Sequence, residues 1–342
     1  MHAFESLGED ALKLMAKPKV LLFEKIHRKG MDYLEKEGCE IVFPKAITEE
    51  ALLEVVPAAE GIVFRTRGHL SRRLMEAAPN LKVVGRHGVG LDNLDMEAAT
   101  ELGIWVVSTP EANSESVAEL VLLLALSLAR LAPQTQQALK EHRWEDRNRY
   151  IGQEIRGKTI GIVGLGRVGS TIARIWHRAF GCPILFRDIV PKPEWEQALG
   201  ARPVSLDELL RTADYVSLNV PLKGDTRGMI GERELSLMKK SAFIINAARG
   251  PVWQEKAVFK ALTENWIAGA AADVFEEEPT AHDNPLLRLE NFIGTPHVAA
   301  HTQDAMQRMA MVVEDIVSVI RGRAPKYPAN QPKSARQMVQ PI

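Results

Sequence analysis

Gly164-Leu165-Gly166-Arg167-Val168-Gly169 follows the apolar run TIGIV and opens a helical pattern, STIARIWHRAF. In that setting Gly164 permits a tight turn, Gly166 lets the backbone approach a pyrophosphate and Gly169 allows close helix packing, while the helix N-terminus favours the anion. Alone, the motif fits a purely structural glycine turn equally well. Asp188 shifts that balance: it lies nineteen residues after Gly169, at the end of the next strand-like run, where a carboxylate accepts hydrogen bonds from an adenosine ribose. The same carboxylate repels a 2′-phosphate, which favours NAD over NADP. Its neighbour Arg187 is the cation that would relax this preference, but on a strand it points to the opposite face and reads as a surface residue.

Three further segments fall at or just beyond strand ends: INAARG with Arg249, DVFEEEP with Asp273 and Glu278, and TPHVAAH with His297. Together they supply a cation to hold a carboxylate, an acid to orient an imidazole, and an imidazole to exchange a proton. Taken singly, Arg249 also reads as a surface cation, Glu278 as part of a solvated acidic run with Glu276 and Glu277, and His297 as a core histidine. Cys39 and Cys182 form no CxxC and no zinc-spaced Cys/His cluster, so an intracellular, cytoplasmic chain without structural metal is expected.

A scaffold must bring these segments together. The 342 residues, 46% hydrophobic and 25% charged, suggest two domains and exclude a lone small module or wholesale disorder. With 43 Lys and Arg against 44 Asp and Glu, the formal charge of −1 provides no global field for nucleic acid or an anionic membrane. Five strand-like runs (KVLLFE, CEIVF, GIVFR, LKVVGR, GIWVVS) alternate with helical stretches. Six more follow (KTIGIVG, CPILFRD, DYVSLNV, AFIINAA, AGAAADVF, NFIGTPH), as two mononucleotide-binding halves require. Between the series a helix starts at Asn113 and Ser114, both good caps, and runs to Pro133; apolar on most faces, it must be buried by protein. Its longest apolar run, Leu120 to Ala129, is about half of what a bilayer needs. The first nineteen residues lack a secretory apolar stretch and read as a short helix or loose arm. A last helix, QDAMQRMAMVVEDIVSVIRG, ends at Gly322, and the tail beyond packs as an arm or is disordered.

In order and spacing, GLGRVG with Asp188, NVPL at 219–222, INAARG, DVFEEEP and TPH, preceded by RHGVGLDNLD and NSESVAEL, resemble the D-isomer-specific 2-hydroxyacid dehydrogenases over nearly the whole chain. The similarity is greatest to the phosphoglycerate dehydrogenase branch without a regulatory C-terminal domain. It implies NAD-dependent interconversion of a D-2-hydroxy acid and its 2-oxo acid by a catalytic set of Arg249, Glu278 and His297, the glutamate being the one before Pro279. It implies cofactor contacts from Gly164, Gly166, Arg167, Val168, Gly169, Asp188, Pro221, Thr226, Ala247, Asp273, His297 and Ala299, with Asp273 at the nicotinamide amide. Substrate contacts are implied for Arg249 and for amides near Gly88 and Val89, while Arg65, Arg67 and Arg86 at strand ends are candidates for a second anionic group such as a phosphate.

The implied architecture is two doubly wound parallel α/β domains. Residues 1–112 plus 298–342 bind substrate, the inserted residues 113–297 form an NAD-binding Rossmann domain, and the active site lies in the cleft. A homodimer is expected, with no nucleic-acid or membrane partner. Two departures stand out: Trp253 in the run Gly250 to Glu255, where the family commonly has an acid, reads as a packing residue, and Arg187 replaces a usual tyrosine. Trp144 is expected to be a structural anchor, in a segment that in this family often reaches the neighbouring subunit. A glyoxylate or hydroxypyruvate reductase shares every catalytic residue and is the alternative; a non-catalytic NAD-sensing corepressor-like protein is the alternative of another class.

Overall fold

Runs of β-branched and aliphatic residues become strands here because helices on both faces of a parallel sheet let every side chain of a strand be buried. In the computed structural model, which describes residues 17–336, the chain divides into two units, Met1–Asn113 with Gln303–Ile342, and Ser114–Thr302. The expected N-terminal helix or arm falls almost wholly outside the described residues.

The first unit holds β1 (Lys19–Leu22), β2 (Glu40–Val42), β3 (Gly61–Phe64), β4 (Val83–Arg86) and β5 (Trp105–Val107), all parallel, in the order β2-β1-β3-β4-β5. Leu21, Ile62, Phe64 and Val84 face one core, while Val20, Leu22, Val63 and Val83 face the other. The expected final helix is in fact two, Gln303–Ala310 and Val313–Ile320. The second lies so close to the sheet that a Cβ on Gly61 or Gly85 would come within 2.8 or 2.9 Å of Ile316.

The tail packs as an arm as far as Arg336. It covers the free edge of β5: Pro328 bridges Val107, the Asn330 side chain accepts from the Val106 amide at 2.8 Å, and the Arg336 amide donates to Gly103. Such cover removes an exposed edge strand. The buried carboxylate of Asp315 fixes the arm's start by accepting the amides of Lys326 (2.6 Å) and Tyr327 (2.9 Å).

The second unit contains β6 (Ile160–Val163), β7 (Ile184–Arg187), β8 (Arg202–Pro203), β9 (Tyr215–Leu218), β10 (Phe243–Asn246), β11 (Gly269–Ala272) and β12 (Phe292–Gly294). They are parallel in the order β12-β11-β10-β9-β6-β7-β8, so the chain reverses direction across the sheet between β6 and β9. This makes seven strands instead of six. β8 escapes pattern reading because it is a two-residue edge strand of Arg and Pro, with no apolar alternation.

The helix Ser114–Arg130 buries Ala118, Val121, Leu124, Ala125 and Leu128 in a cluster with Ile160, Ile162, Ile172 and Trp176. It ends where Leu131 takes a left-handed φ of 54°, and Pro133 lies in the first turn of a new helix, Ala132–Lys140, where its missing N–H does no harm. Asn113 Oδ1 and Ser114 Oγ make no hydrogen bond among the described residues, so neither caps the helix as expected. Trp253 is buried as expected; Trp144 is exposed in the single chain, with the Arg147 guanidinium 6.0 Å from its ring centroid. Among the described residues no single helix is long and apolar enough to cross a membrane.

Asp315→Ala strands two amide donors of the arm. It should destabilise the protein by about 2 kcal/mol, seen as a lower thermal midpoint with increased proteolysis after Gly322; an unchanged midpoint would show that the arm adds no stability.

Candidate active site

The glycine turn leaves β6 and enters the helix Arg167–Phe180. Gly164 has φ 90°, and a Cβ there would lie 2.8 Å from the Asn219 carbonyl; on Gly169 it would lie 2.1 Å from the Gly164 carbonyl. Both glycines are required by the protein's own packing. Gly166 is different: its φ of −77° suits any residue, and an added Cβ would meet nothing within 4 Å. Open space at a position where neither backbone nor packing demands glycine is what a pyrophosphate drawn against the helix N-terminus needs. NAD therefore fits the residues present, with Arg167 and Val168 forming the first helical residues after the turn.

Asp188 follows β7. Its Oδ2 accepts the Leu165 amide at 2.7 Å and its Oδ1 the Val190 amide at 2.9 Å, so the carboxylate is fixed beside the turn. Arg187 is exposed and donates to the Asp188 carbonyl. Beyond β9, Thr226 Oγ1 donates to the Pro221 carbonyl (2.6 Å) and accepts the Lys223 amide (2.8 Å), which closes an exposed loop.

The ends of β10, β11 and β12 carry the remaining groups, side by side because these strands are neighbours in the sheet. At the end of β10, fully buried Asn246 accepts the Ala248 amide (3.1 Å) and donates to the Arg249 carbonyl (2.9 Å). Its side chain thereby shapes the loop of Ala247 and Arg249. Arg249 Nη1 donates to the Ala248 carbonyl at 2.6 Å. Only glycine fits at 250, where a Cβ would lie 1.8 Å from the Phe275 carbonyl.

After β11 comes Asp273, 1% exposed. Oδ1 accepts from Thr295 Oγ1 (2.6 Å) and the Val298 amide (2.9 Å), and Oδ2 from the Ala299 amide (2.8 Å). Its main-chain carbonyl accepts the His297 amide at 2.8 Å. His297 is thus held at φ 52°, an uncommon conformation for a residue with a side chain.

His297 Nδ1 lies 2.7 Å from Glu278 Oε2, and Glu278 Oε1 accepts the Phe275 amide at 3.0 Å. Burial pushes the Glu278 carboxyl up, but the bond and charge of His297, the Phe275 amide and the charge of Arg249 outweigh it and leave it below the ordinary carboxylate value. An ionised carboxylate only accepts, so Nδ1 carries the proton and Nε2 is left for a reacting group.

In the first unit Arg86 is buried, donates to the Arg65 carbonyl and lies 5.2 Å from the Phe64 ring centroid. Arg65 is half-buried, with Nη2 3.7 Å from Met306 Sδ, and Arg67 pairs with Glu24 at 3.8 Å. Gly88 takes φ 131°, its carbonyl accepts from both the amide (3.1 Å) and the hydroxyl (3.2 Å) of Thr109, and Val89 beside it is exposed. Sequence reasoning missed Asn246, Thr295 and the Phe275 amide. A polar residue closing an apolar strand was the one available signal, and it pointed to Asn246.

Residues 122–299 match the family described as D-isomer specific 2-hydroxyacid dehydrogenase, NAD binding domain. The chain is 44% identical to the D-3-phosphoglycerate dehydrogenase of Methanocaldococcus jannaschii over 92% of its own length and 60% of that protein's. It is 37% identical to the glyoxylate reductase of Korarchaeum cryptofilum, over 92% and 96% of the two lengths. A solved structure from Thermus thermophilus superposes with a TM-score of 0.86 at 32% identity, over 91% of this chain and 100% of that one. The chain spans about 60% of the length of the first of these relatives. It belongs to the D-isomer-specific 2-hydroxyacid dehydrogenase family, with an NAD-binding domain in its second unit.

Gly166→Val should fold normally, with a thermal midpoint within about 2 °C of the parent, yet lose tenfold or more in NADH affinity, about 1.4 kcal/mol, by fluorescence titration. Unchanged NADH binding would contradict the cradle. The depressed Glu278 carboxyl contributes stability above the unfolded carboxyl range and loses it as pH falls through the folded value. The gap in thermal midpoint between parent and Glu278→Gln should therefore narrow on acidification from about pH 6 to about pH 3; a constant gap would show that the ionised carboxylate is not what stabilises the pair.

Proposed function

We propose that this chain is an NAD-dependent oxidoreductase interconverting a D-2-hydroxy acid and its 2-oxo acid, acting on a phosphoglycerate dehydrogenase-type substrate. The observation that carries this reading is the 2.7 Å His297–Glu278 pair, set on strand ends adjoining the one that bears Arg249, in the unit that also holds the dinucleotide turn. The second unit binds the cofactor. NAD, when bound, accepts or supplies the hydride.

Arg249 pairs with the substrate carboxylate through two parallel hydrogen bonds and so fixes the reacting carbon. In reduction, doubly protonated His297 donates from Nε2 to the oxygen on which negative charge develops, and Glu278 stabilises the imidazolium through Nδ1. In oxidation, neutral Nε2 takes the hydroxyl proton. Asp273 Oδ2, which accepts one bond here, meets the nicotinamide amide, and Asp188 meets the ribose. With Arg86 and Arg67 engaged inside the first unit, Arg65 is the cation proposed for a phosphate, aided by amides near Gly88 and Val89. The glyoxylate reductase reading rests on the relative of that name, matched over nearly its full length.

The protein is proposed to act as a cytoplasmic homodimer. Leu123, Leu139, Trp144 and Ile151 are exposed within one stretch of chain, Ile151 at 84%, and a paired subunit would cover them.

NADH consumption with 3-phosphohydroxypyruvate, hydroxypyruvate, glyoxylate and pyruvate should be fastest, relative to KM, for the phosphorylated acid. A preference for glyoxylate or hydroxypyruvate would move the reading to the reductase, and NADH binding without turnover of any of the four would favour a sensor. His297→Ala should lower kcat by about 100-fold or more; a loss of only a few fold would remove His297 as the proton carrier. Sedimentation at micromolar concentration should show a dimer, and a monodisperse monomer would refute it.

A further inference from the structure

Arg65 and His87 occupy the next positions beyond the paired ends of β3 and β4. Phe64 is in register with Arg86, and the His87 amide donates to the Phe64 carbonyl at 3.0 Å. Neighbours in parallel register present their side chains to the same face of a sheet. Arg65 Nη2 lies 3.7 Å from Met306 Sδ of the helix Gln303–Ala310, and the charge of Arg65 acts on the His87 imidazole. Arg86, between them in the strand pair, is engaged elsewhere, over the Phe64 ring.

His87 is 4% exposed, and its Nε2 has no hydrogen-bond partner among the described residues. Burial first, then the charge of Arg65, hold the ring neutral, pushing its pKa down to about 3. In the neutral tautomer with the proton on Nδ1, Nε2 is a bare acceptor, and an unsatisfied buried acceptor is disfavoured unless a donor reaches it. A carboxylate in this place would orient Arg65 but cancel its charge. A neutral imidazole orients a guanidinium and leaves the charge intact.

We propose that His87 is a positioning residue for Arg65: its Nε2 accepts a guanidinium N–H and aims Arg65, still fully charged, at a second anionic group of the substrate. This rests on the reading of Arg65 as the cation for that group. In the present rotamer Arg65 rests on Met306 Sδ, and binding of the anion recruits the bond to Nε2.

The test is steady-state reduction of 3-phosphohydroxypyruvate and of hydroxypyruvate by the full chain with saturating NADH. His87→Leu should raise KM for the phosphorylated acid about tenfold, about 1.4 kcal/mol, with kcat and the KM for hydroxypyruvate nearly unchanged. His87→Gln, which restores an acceptor, should recover most of that loss, and His87→Met replaces the leucine variant if the latter does not fold. Equal effects on both substrates, or none on either, would overturn the inference, as would failure of His87→Gln to recover the loss. Arg65→Gln separates the two levels. If it leaves the ratio of the two KM values unchanged, the reading of Arg65 itself falls; if it changes the ratio while His87→Leu does not, only the role of His87 falls.

Discussion

A buried carboxylate organises the catalytic end of the second unit. Leaving Asp273 without partners inside the protein would cost several kcal/mol, so the residues that follow β12 must supply donors, and they do: the Thr295 hydroxyl and the amides of Val298 and Ala299 converge on it. Satisfying that carboxylate dictates the path of the Thr295 to Ala299 turn. It places His297 at φ 52°, in a conformation that costs of the order of 1 kcal/mol and is held only by its surroundings. The imidazole proposed to carry the proton is thus aimed by hydrogen bonds to another residue.

Sheet order does the rest. Because β10, β11 and β12 are consecutive neighbours, the three loops after them open at one edge and bring a cation, an acid and an imidazole together from residues nearly fifty apart in sequence. Asn246 shapes the first loop, and the absence of a side chain at Gly250 lets that loop lie against Phe275, whose amide in turn holds Glu278. The dinucleotide turn after β6 sits at the reversal of the strand order, where open α/β sheets receive ligands. The proposed hydride and proton chemistry would thereby be served by one sheet.

Much of this was legible in the residues. The strand runs were readable because parallel strands buried on both faces are continuously apolar, and the glycine turn because its spacing has a backbone reason at each position. Pairwise side-chain geometry was not readable. Resemblance implied Asp273 as a nicotinamide contact, and nothing in DVFEEEP reveals that the same carboxylate carries the histidine turn. β8 was invisible for want of apolar residues, and the break at Met311 and Val312 because both flanking segments share one helical period. Asn113 and Ser114 had the right chemistry for caps, but identity alone could not show that their oxygens go unused.

The central claim is that one imidazole, His297, carries the proton in both directions. Its most direct test is kcat/KM for the 2-oxo acid with NADH and for the 2-hydroxy acid with NAD, each from about pH 5 to about pH 9. Reduction should weaken and oxidation strengthen as pH rises across that range. Two profiles moving in the same direction, or two flat ones, would contradict it.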